Sequence, residues 1–300
     1  MNWANIALLS AAIMGVVNII DSHLLSKRIP VLRVFLLPAA IMHLIYGSIL
    51  FILFPLPEDI GILPIIIAIV SGLIRTGAVL IMLNTLKKEE VAKVIPVSYT
   101  SPIFVAIMAV PLLGESLQLL QWLAIIIVVM GALMVSLQQT PSGNTRLPVK
   151  LLLSLFCASI LFAIADIMGK YTLAYISAWN MFWLTTFCMC SIFLAISVRP
   201  RFIKMLVDMK QRNSALGILV FNETLAPMGI ALSFWALKQG PVSLVSTITG
   251  SRPMFVVIFA FIVSRLWPAF VEWQSGRGIL VLRLCATAMI IGGITLIHLL

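Results

Sequence analysis

Two stretches of this chain decide how it folds: VAKVIPVSYTSPIFVAIMA, residues 91–109, and VSLVSTITGSRPMFVVIFA, residues 242–260. With a shift of 151 residues they agree at seven of nineteen positions: Val91/Val242, Val94/Val245, Pro102/Pro253, Phe104/Phe255, Val105/Val256, Ile107/Ile258 and Ala109/Ala260. The preceding Leu86-Lys87 falls on Leu237-Lys238. Apolar sequences match one another readily, but a proline shared in mid-segment is harder to obtain by accident. The shift is about half of the 300 residues, which is what duplication of one unit produces.

The solvent of that unit follows from composition. Hydrophobic residues make up 62% of the chain and charged residues only 10%, less than half the charge of an average soluble domain. Apolar windows recur near residues 3–24, 33–54, 61–86, 91–113, 118–137, 150–172, 178–198, 214–237, 242–264 and 278–299. Each is long enough to cross a hydrocarbon layer of roughly 30 Å as a helix, which takes about 20 residues. The expected fold is therefore an all-α integral membrane protein with ten transmembrane helices in two five-helix repeats. The first repeat is placed at 1–140, a linker at 141–149 and the second repeat at 150–300. Five is odd, so the second repeat enters the membrane from the side opposite the first. The two repeats are inverted.

Several functions are excluded on the same grounds. There is no Gly-rich phosphate loop, no pair of catalytic carboxylates on a soluble face and no soluble domain long enough for an active site, so neither an enzyme nor a cofactor is expected. The apolar run after Met1 lacks a basic leader region and a persuasive cleavage site, and the first helix is expected to stay. Cys157, Cys188, Cys190 and Cys285 all lie in apolar windows without metal-ligand spacing, which reads as packing and gives no metal site. The net charge of +10 does not indicate nucleic acid, because of where it sits. Of the 20 lysines and arginines, all but Arg75, Lys170, Lys238 and Arg252 fall in or beside odd-numbered connections. The even connections carry Lys170 and Lys238 with Glu58, Asp59 and Glu115. Short basic loops stay in the cytoplasm, so both termini are expected outside a plasma or inner membrane.

Inverted repeats place a substrate site near the bilayer midplane between the halves, with access alternating between the two sides. Architecture thus points to transport. At this point the chain resembles the drug/metabolite transporter superfamily, in particular its EamA-like group of ten helices in two repeats. The closest local likeness is PIFVAIMAVPLLGESLQLLQWLAIIIVVMGALMV, residues 102–135, where a Pro-containing fourth helix ends in Gly114-Glu115 and a fifth helix containing Gly131 follows. In the second half the matching positions are Arg265 and Leu266. The resemblance implies transport of small metabolites, with amino-acid-like compounds favoured. It also implies cytoplasmic termini, against the charge count.

Charges inside the apolar windows are the candidate site. Arg75, in IVSGLIRTGAVLIM, and Arg252, in STITGSRPMFVVIFAF, lie near the centres of the third and ninth helices. An unpaired charge at that depth costs at least about 2.5–3.5 kcal/mol on insertion scales, so each needs a partner, water or a ligand. Glu223, in FNETLAP, lies at comparable depth and is the natural counter-ion; the repeat alignment sets it opposite Gly72, one turn from Arg75. One reading is a permanent ion network that pins helices together. The preferred reading is a water-filled cavity, in which the arginines attract a carboxylate or phosphate and Glu223 exchanges protons or holds a cation.

Asp21, in VVNIIDSHLL, and Asp166, in LFAIADIMGK, align with a shift of 145 and are expected near opposite faces. They read either as gating or proton-relay groups or as headgroup-level carboxylates, with Lys170 a simple partner for Asp166. His43 and His23 read as packing or interface residues. Ser98, Tyr99, Thr100 and Ser101 correspond to Thr249, Gly250, Ser251 and Arg252, just ahead of Pro102 and Pro253. A proline leaves a carbonyl one turn earlier without its donor, so Tyr99, Ser98 and Thr249 are candidate cavity wall, although small residues also serve helix packing. Trp235 and Trp183 are candidates to close the cavity by stacking; Trp122, Trp267 and Trp273 read as interface anchors.

Three functions follow. The leading one is secondary transport of a small anionic or zwitterionic metabolite by a monomer in the bilayer, with proton coupling. The second is a flippase for a lipid-linked anion, marked by a lateral opening. The third is a scaffold without transport, whose buried charges would be fully paired around no cavity.

Overall fold

The fourth and ninth windows both form broken helices, and they break at the same register. In the computed structural model of the chain, which describes residues 2–89, 91–136, 148–266 and 277–299, the fourth window is α4 (Val91–Ser98) followed by α5 (Ser101–Leu113). The ninth is α11 (Val242–Thr249) followed by α12 (Arg252–Leu266). At both breaks the backbone tightens: Thr100 N–H donates to Val97 O and Ser251 N–H to Ile248 O, at 3.3 and 3.1 Å. Pro102 and Pro253 donate nothing, so the carbonyls of Ser98 and Thr249 lose their usual partner. The two breaks cross closely. A Cβ on Gly250 would sit 2.8 Å from Pro102 Cγ, so only glycine fits there.

The remaining elements are α1 (Trp3–His23, continued by a π-helical turn Leu24–Arg28), α2 (Leu32–Leu53), α3 (Ile62–Leu86), α6 (Leu119–Ser136), α7 (Val149–Thr172), α8 (Ala178–Ser197), α9 (Pro200–Val207), α10 (Arg212–Gln239) and α13 (Arg277–Leu299). Among the described residues, nine helical spans are long and apolar enough to cross a membrane, and the shorter apolar α6 takes the remaining place. The expected ten-helix architecture is thus present. Residues 141–147 of the expected linker, and Trp267 and Trp273, lie outside the described residues.

Side chains are distributed as hydrocarbon requires. Large apolar residues face outward, with Ile52 76% and Leu112 66% exposed, while Ser10, Asn18, Ser71 and Thr76 are buried. The α1–α10 and α3–α7 pairs are fastened in the same manner. Ser10 Oγ donates to Gly229 O at 2.7 Å, and Ser71 Oγ donates to Ala165 O at 2.9 Å. Small residues and hydroxyl bonds are how helices adhere where no hydrophobic force separates them from lipid.

Inversion is visible in the order of contacts. Along α2 and α8, His43 stacks on Phe193, Phe51 meets Trp183 and Phe54 stacks on Trp179, so one number rises as the other falls. Equivalent helices of the two halves therefore run antiparallel. The α6–α13 pair does the same: Gly131 lies against Ala286 and Ile290, Gly293 against Ala124 and Val128.

The Leu-Lys match ahead of the repeat also has a structural meaning. Lys87 Nζ donates to Leu25 O and Ile29 O at 2.5 Å, and Lys238 Nζ donates to Ile176 O at 3.0 Å. In each half the lysine ending the third helix ties down the turn after the first.

Candidate functional site

Between the halves lies a cavity of about 90 Å³. The first repeat contributes Asn18 and Asp21 from α1, His43 from α2, Arg75 from α3 and Tyr99 from the α4–α5 break. The second contributes Glu223 from α10 and Arg252 from the first turn of α12, with Phe162, Phe193 and Phe234 as apolar wall. The break gives Tyr99 its place. Its ring stacks on Phe162 at 5.9 Å on one side and carries the Arg252 guanidinium 4.5 Å from its centroid on the other. Arg252 Nη1 also donates to a Tyr99 hydroxyl, and among the described residues Arg252 forms no ion pair.

Arg75 is held differently. Its Nη2 donates to Asp166 Oδ1 at 2.5 Å, and its guanidinium lies 5.3 Å from the Phe234 ring centroid. The expected pairing of Arg75 with Glu223 is therefore replaced by one with Asp166. Depth put Glu223 and Arg75 at the same level, but rotation about the helix axes turns Arg75 toward α7. Nor does Asp166 pair with Lys170, whose ammonium donates to Leu237 O and Gly240 O at 2.8 and 2.7 Å.

Glu223 and Asp21 face the same cavity, and among the described residues neither is paired with an arginine. His43 Nδ1 is 3.7 Å from Glu223 Oε2, and Asn222 Nδ2 donates to Asp21 Oδ1 at 2.7 Å. Asp21 is 7% exposed, packed inside the protein beside the cavity. Asp21 and Asp166 are counterparts in the two repeats, yet Asp166 meets an arginine and Asp21 meets an asparagine.

Other expected site residues lie elsewhere. Ser98 and Thr249 are buried in the helix breaks, and their hydroxyls donate to Val94 O and Ser246 O, which leaves them out of the cavity wall. Trp235 is 46% exposed on the outer surface beside Trp179, because its position on α10 faces away from the centre. Trp183 is buried and donates its indole N–H to Phe54 O at 3.1 Å. Conversely, sequence reasoning passed over Asn18 and read His43 as packing. Asn18 lies three residues before Asp21 on one helix face, and a lone amide inside an apolar window was the available signal.

The side chains that line the cavity hold several buried polar atoms with no hydrogen-bond partner among the described residues: Asn18 Nδ2 and Oδ1, His43 Nδ1, Arg75 Nε and Arg252 Nε. Leaving a buried polar group unpaired costs about 1–3 kcal/mol, so a cluster of them calls for a polar occupant. With the guanidinium of Arg252 in the wall and the carboxylates of Asp21 and Glu223 beside it, the lining can complement an occupant that carries both signs of charge. Among the described residues no group of three or more His, Cys, Asp or Glu is placed to hold a metal ion.

Comparison with known proteins agrees with the fold. No curated protein matches the chain by sequence. A solved crystal structure superposes with a TM-score of 0.65 at 16% identity, covering 99% of this chain and 95% of that one, a likeness of fold. The sequence profile of the EamA-like transporter family matches residues 1–137 and again residues 149–299. Matched across both of its halves, the chain belongs to the EamA-like transporter family, membrane transporters of small molecules.

Proposed function

We propose that this protein is a secondary active transporter of a small zwitterionic or anionic metabolite, amino-acid-like in form, working by alternating access around the central cavity. The observation that supports this most is Arg252. A half-buried guanidinium that faces a cavity, stacks on Tyr99 and makes no ion pair among the described residues is what a substrate carboxylate needs. Asp21 and Glu223 offer a site for an ammonium group or a transferable proton, with His43 beside Glu223. A scaffold would have its buried charges fully paired around no cavity, and neither condition holds at Arg252.

The cavity of about 90 Å³ is well below the roughly 300 Å³ at which ligand pockets begin. Substrate entry therefore requires the halves to part, and the helix breaks beside Tyr99 and Arg252 are the natural points of flexure. We place the protein in the cell membrane as a monomer, with the basic odd-numbered connections in the cytoplasm and both termini outside.

The test is uptake into liposomes containing the purified protein, using labelled amino acids of acidic, neutral and basic side chain, with and without an imposed pH gradient. Gradient-stimulated uptake of a compound with a free carboxylate supports the reading. Binding restricted to lipid phosphates would replace it with the flippase.

A further inference from the structure

A second site stands outside the central cavity, on the side of the odd-numbered connections. A groove of about 690 Å³ opens between the turn after α1, the end of α3 and the short helix α9. It is lined by six basic side chains, Lys27, Arg28, Lys87, Arg201, Lys204 and Lys210, against one carboxylate, Asp208. Mutual repulsion of so many cations at one place is tolerated where an anion neutralises them.

The groove is built, not merely coated. Its floor is Lys87, whose ammonium is fixed by the carbonyls of Leu25 and Ile29, and burial holds its pKa below the ordinary lysine value. Arg28 is oriented by donating to Gln211 Oε1 and, at 3.4 Å, to His23 Nε2. Among the described residues Arg201, Lys204 and Lys210 make no ion pair. They are left for something outside the chain.

The level of the groove says what that is. Helix α9 lies between α8, which leaves the membrane, and α10, which re-enters it. Phe202 anchors it inward, under the Arg33 guanidinium at 5.2 Å from the ring centroid. Ile203 and Val207 remain 43% and 55% exposed. A short helix with exposed aliphatic residues and a row of cations lies in the plane of the interface, with its aliphatic side toward acyl chains and its cations among headgroups. Apolar Ile29, Pro30, Met205 and Met209 complete the groove wall, suited to the start of an acyl chain.

We propose that this groove is a binding site for an anionic phospholipid, whose headgroup phosphate is received by Arg201, Lys204 and Lys210 above the Lys87 floor. The site is independent of the transport cavity, and the occupant braces α9 against the ends of α1 and α3.

Native mass spectrometry of the detergent-purified protein tests it, with phosphatidylglycerol and phosphatidylcholine of the same acyl chains as probes. The parent should retain phosphatidylglycerol in preference, and high salt should erase that preference. In the triple variant Arg201→Gln/Lys204→Gln/Lys210→Gln, retention should fall by roughly 100-fold, from about fivefold for each charge lost near a lipid surface. Equal retention of both lipids by the parent overturns the proposal whether or not the variant folds, and so does an undiminished preference in the variant. Glycerol 3-phosphate is the arm for a soluble source. If it displaces phosphatidylglycerol at comparable concentration, the groove is a site for a soluble phosphate ester and the lipid assignment is wrong.

Discussion

Arg75→Gln and Arg252→Gln make the same chemical change in two arginines that line one cavity, and the structure gives them opposite consequences. Arg75 neutralises Asp166, with both side chains largely buried, at 17% and 13% exposure. Removing its charge strands a buried carboxylate, which costs about 3–5 kcal/mol of stability. Among the described residues Arg252 has no carboxylate to strand. Its loss removes a bond to the Tyr99 hydroxyl of about 1.5–3 kcal/mol and a cation–π contact of about 0.5–2 kcal/mol. Against that stands relief from desolvating a guanidinium whose Nε has no partner, so the net change in stability should be small, about 1 kcal/mol or less. Affinity for a carboxylate-bearing substrate should instead fall by about 1.5–3 kcal/mol, or roughly 10- to 150-fold. The assays are thermal unfolding in detergent, followed by intrinsic tryptophan fluorescence, and substrate-dependent uptake in liposomes. If Arg252→Gln melts as low as Arg75→Gln while surviving protein transports normally, the role given to Arg252 is wrong.

Glu223→Gln should leave the protein folded and able to bind substrate yet abolish accumulation driven by a pH gradient; unchanged gradient-driven uptake removes Glu223 from coupling. In a background with the four native cysteines replaced, Lys204→Cys should be shielded in intact cells from an impermeant thiol reagent and Glu58→Cys should be labelled; the reverse pattern inverts the topology. Gly250→Ala drives a methyl into Pro102, 2.8 Å from its Cγ, and should cost about 1–3 kcal/mol, read as a lower melting temperature. Glu115 accepts from the backbone N–H groups of Val242 and Ser243 at 2.5 and 3.3 Å, so Glu115→Ala should cost about 0.5–2 kcal/mol as a lost helix cap, and an unchanged melting temperature would sink that assignment.

The position of a residue along its helix was legible in the sequence; its direction around the helix was not. Window lengths and the repeat gave ten helices and two matched breaks, because period and proline position are properties of the chain alone. They also put Arg75, Arg252 and Glu223 near one level, and all three line the cavity, joined there by Asp21, which the sequence placed toward one membrane face. What failed were the statements that need rotation. Glu223 and Asp166 lie on different helices near Arg75, and only the packed structure shows that α3 turns its arginine to α7. Trp235 likewise turns outward on α10, beside Trp179, and not toward the centre. Ser98 and Thr249 failed for another reason: a hydroxyl inside a helix can satisfy its own backbone, and no spacing rule reveals that it does.

A chain made of two identical inverted halves would have inward-open and outward-open forms of equal energy, because a twofold rotation turns one into the other. In this chain the counterparts Asp21 and Asp166 break that symmetry, one beside Asn222 and the other beside Arg75. The symmetry is broken again at Glu115, whose carboxylate caps α11, while its counterpart Leu266 has no side-chain oxygen with which to cap α4. On the alternating access proposed above, a handful of unmatched side chains would decide which of the two related conformers is the ground state.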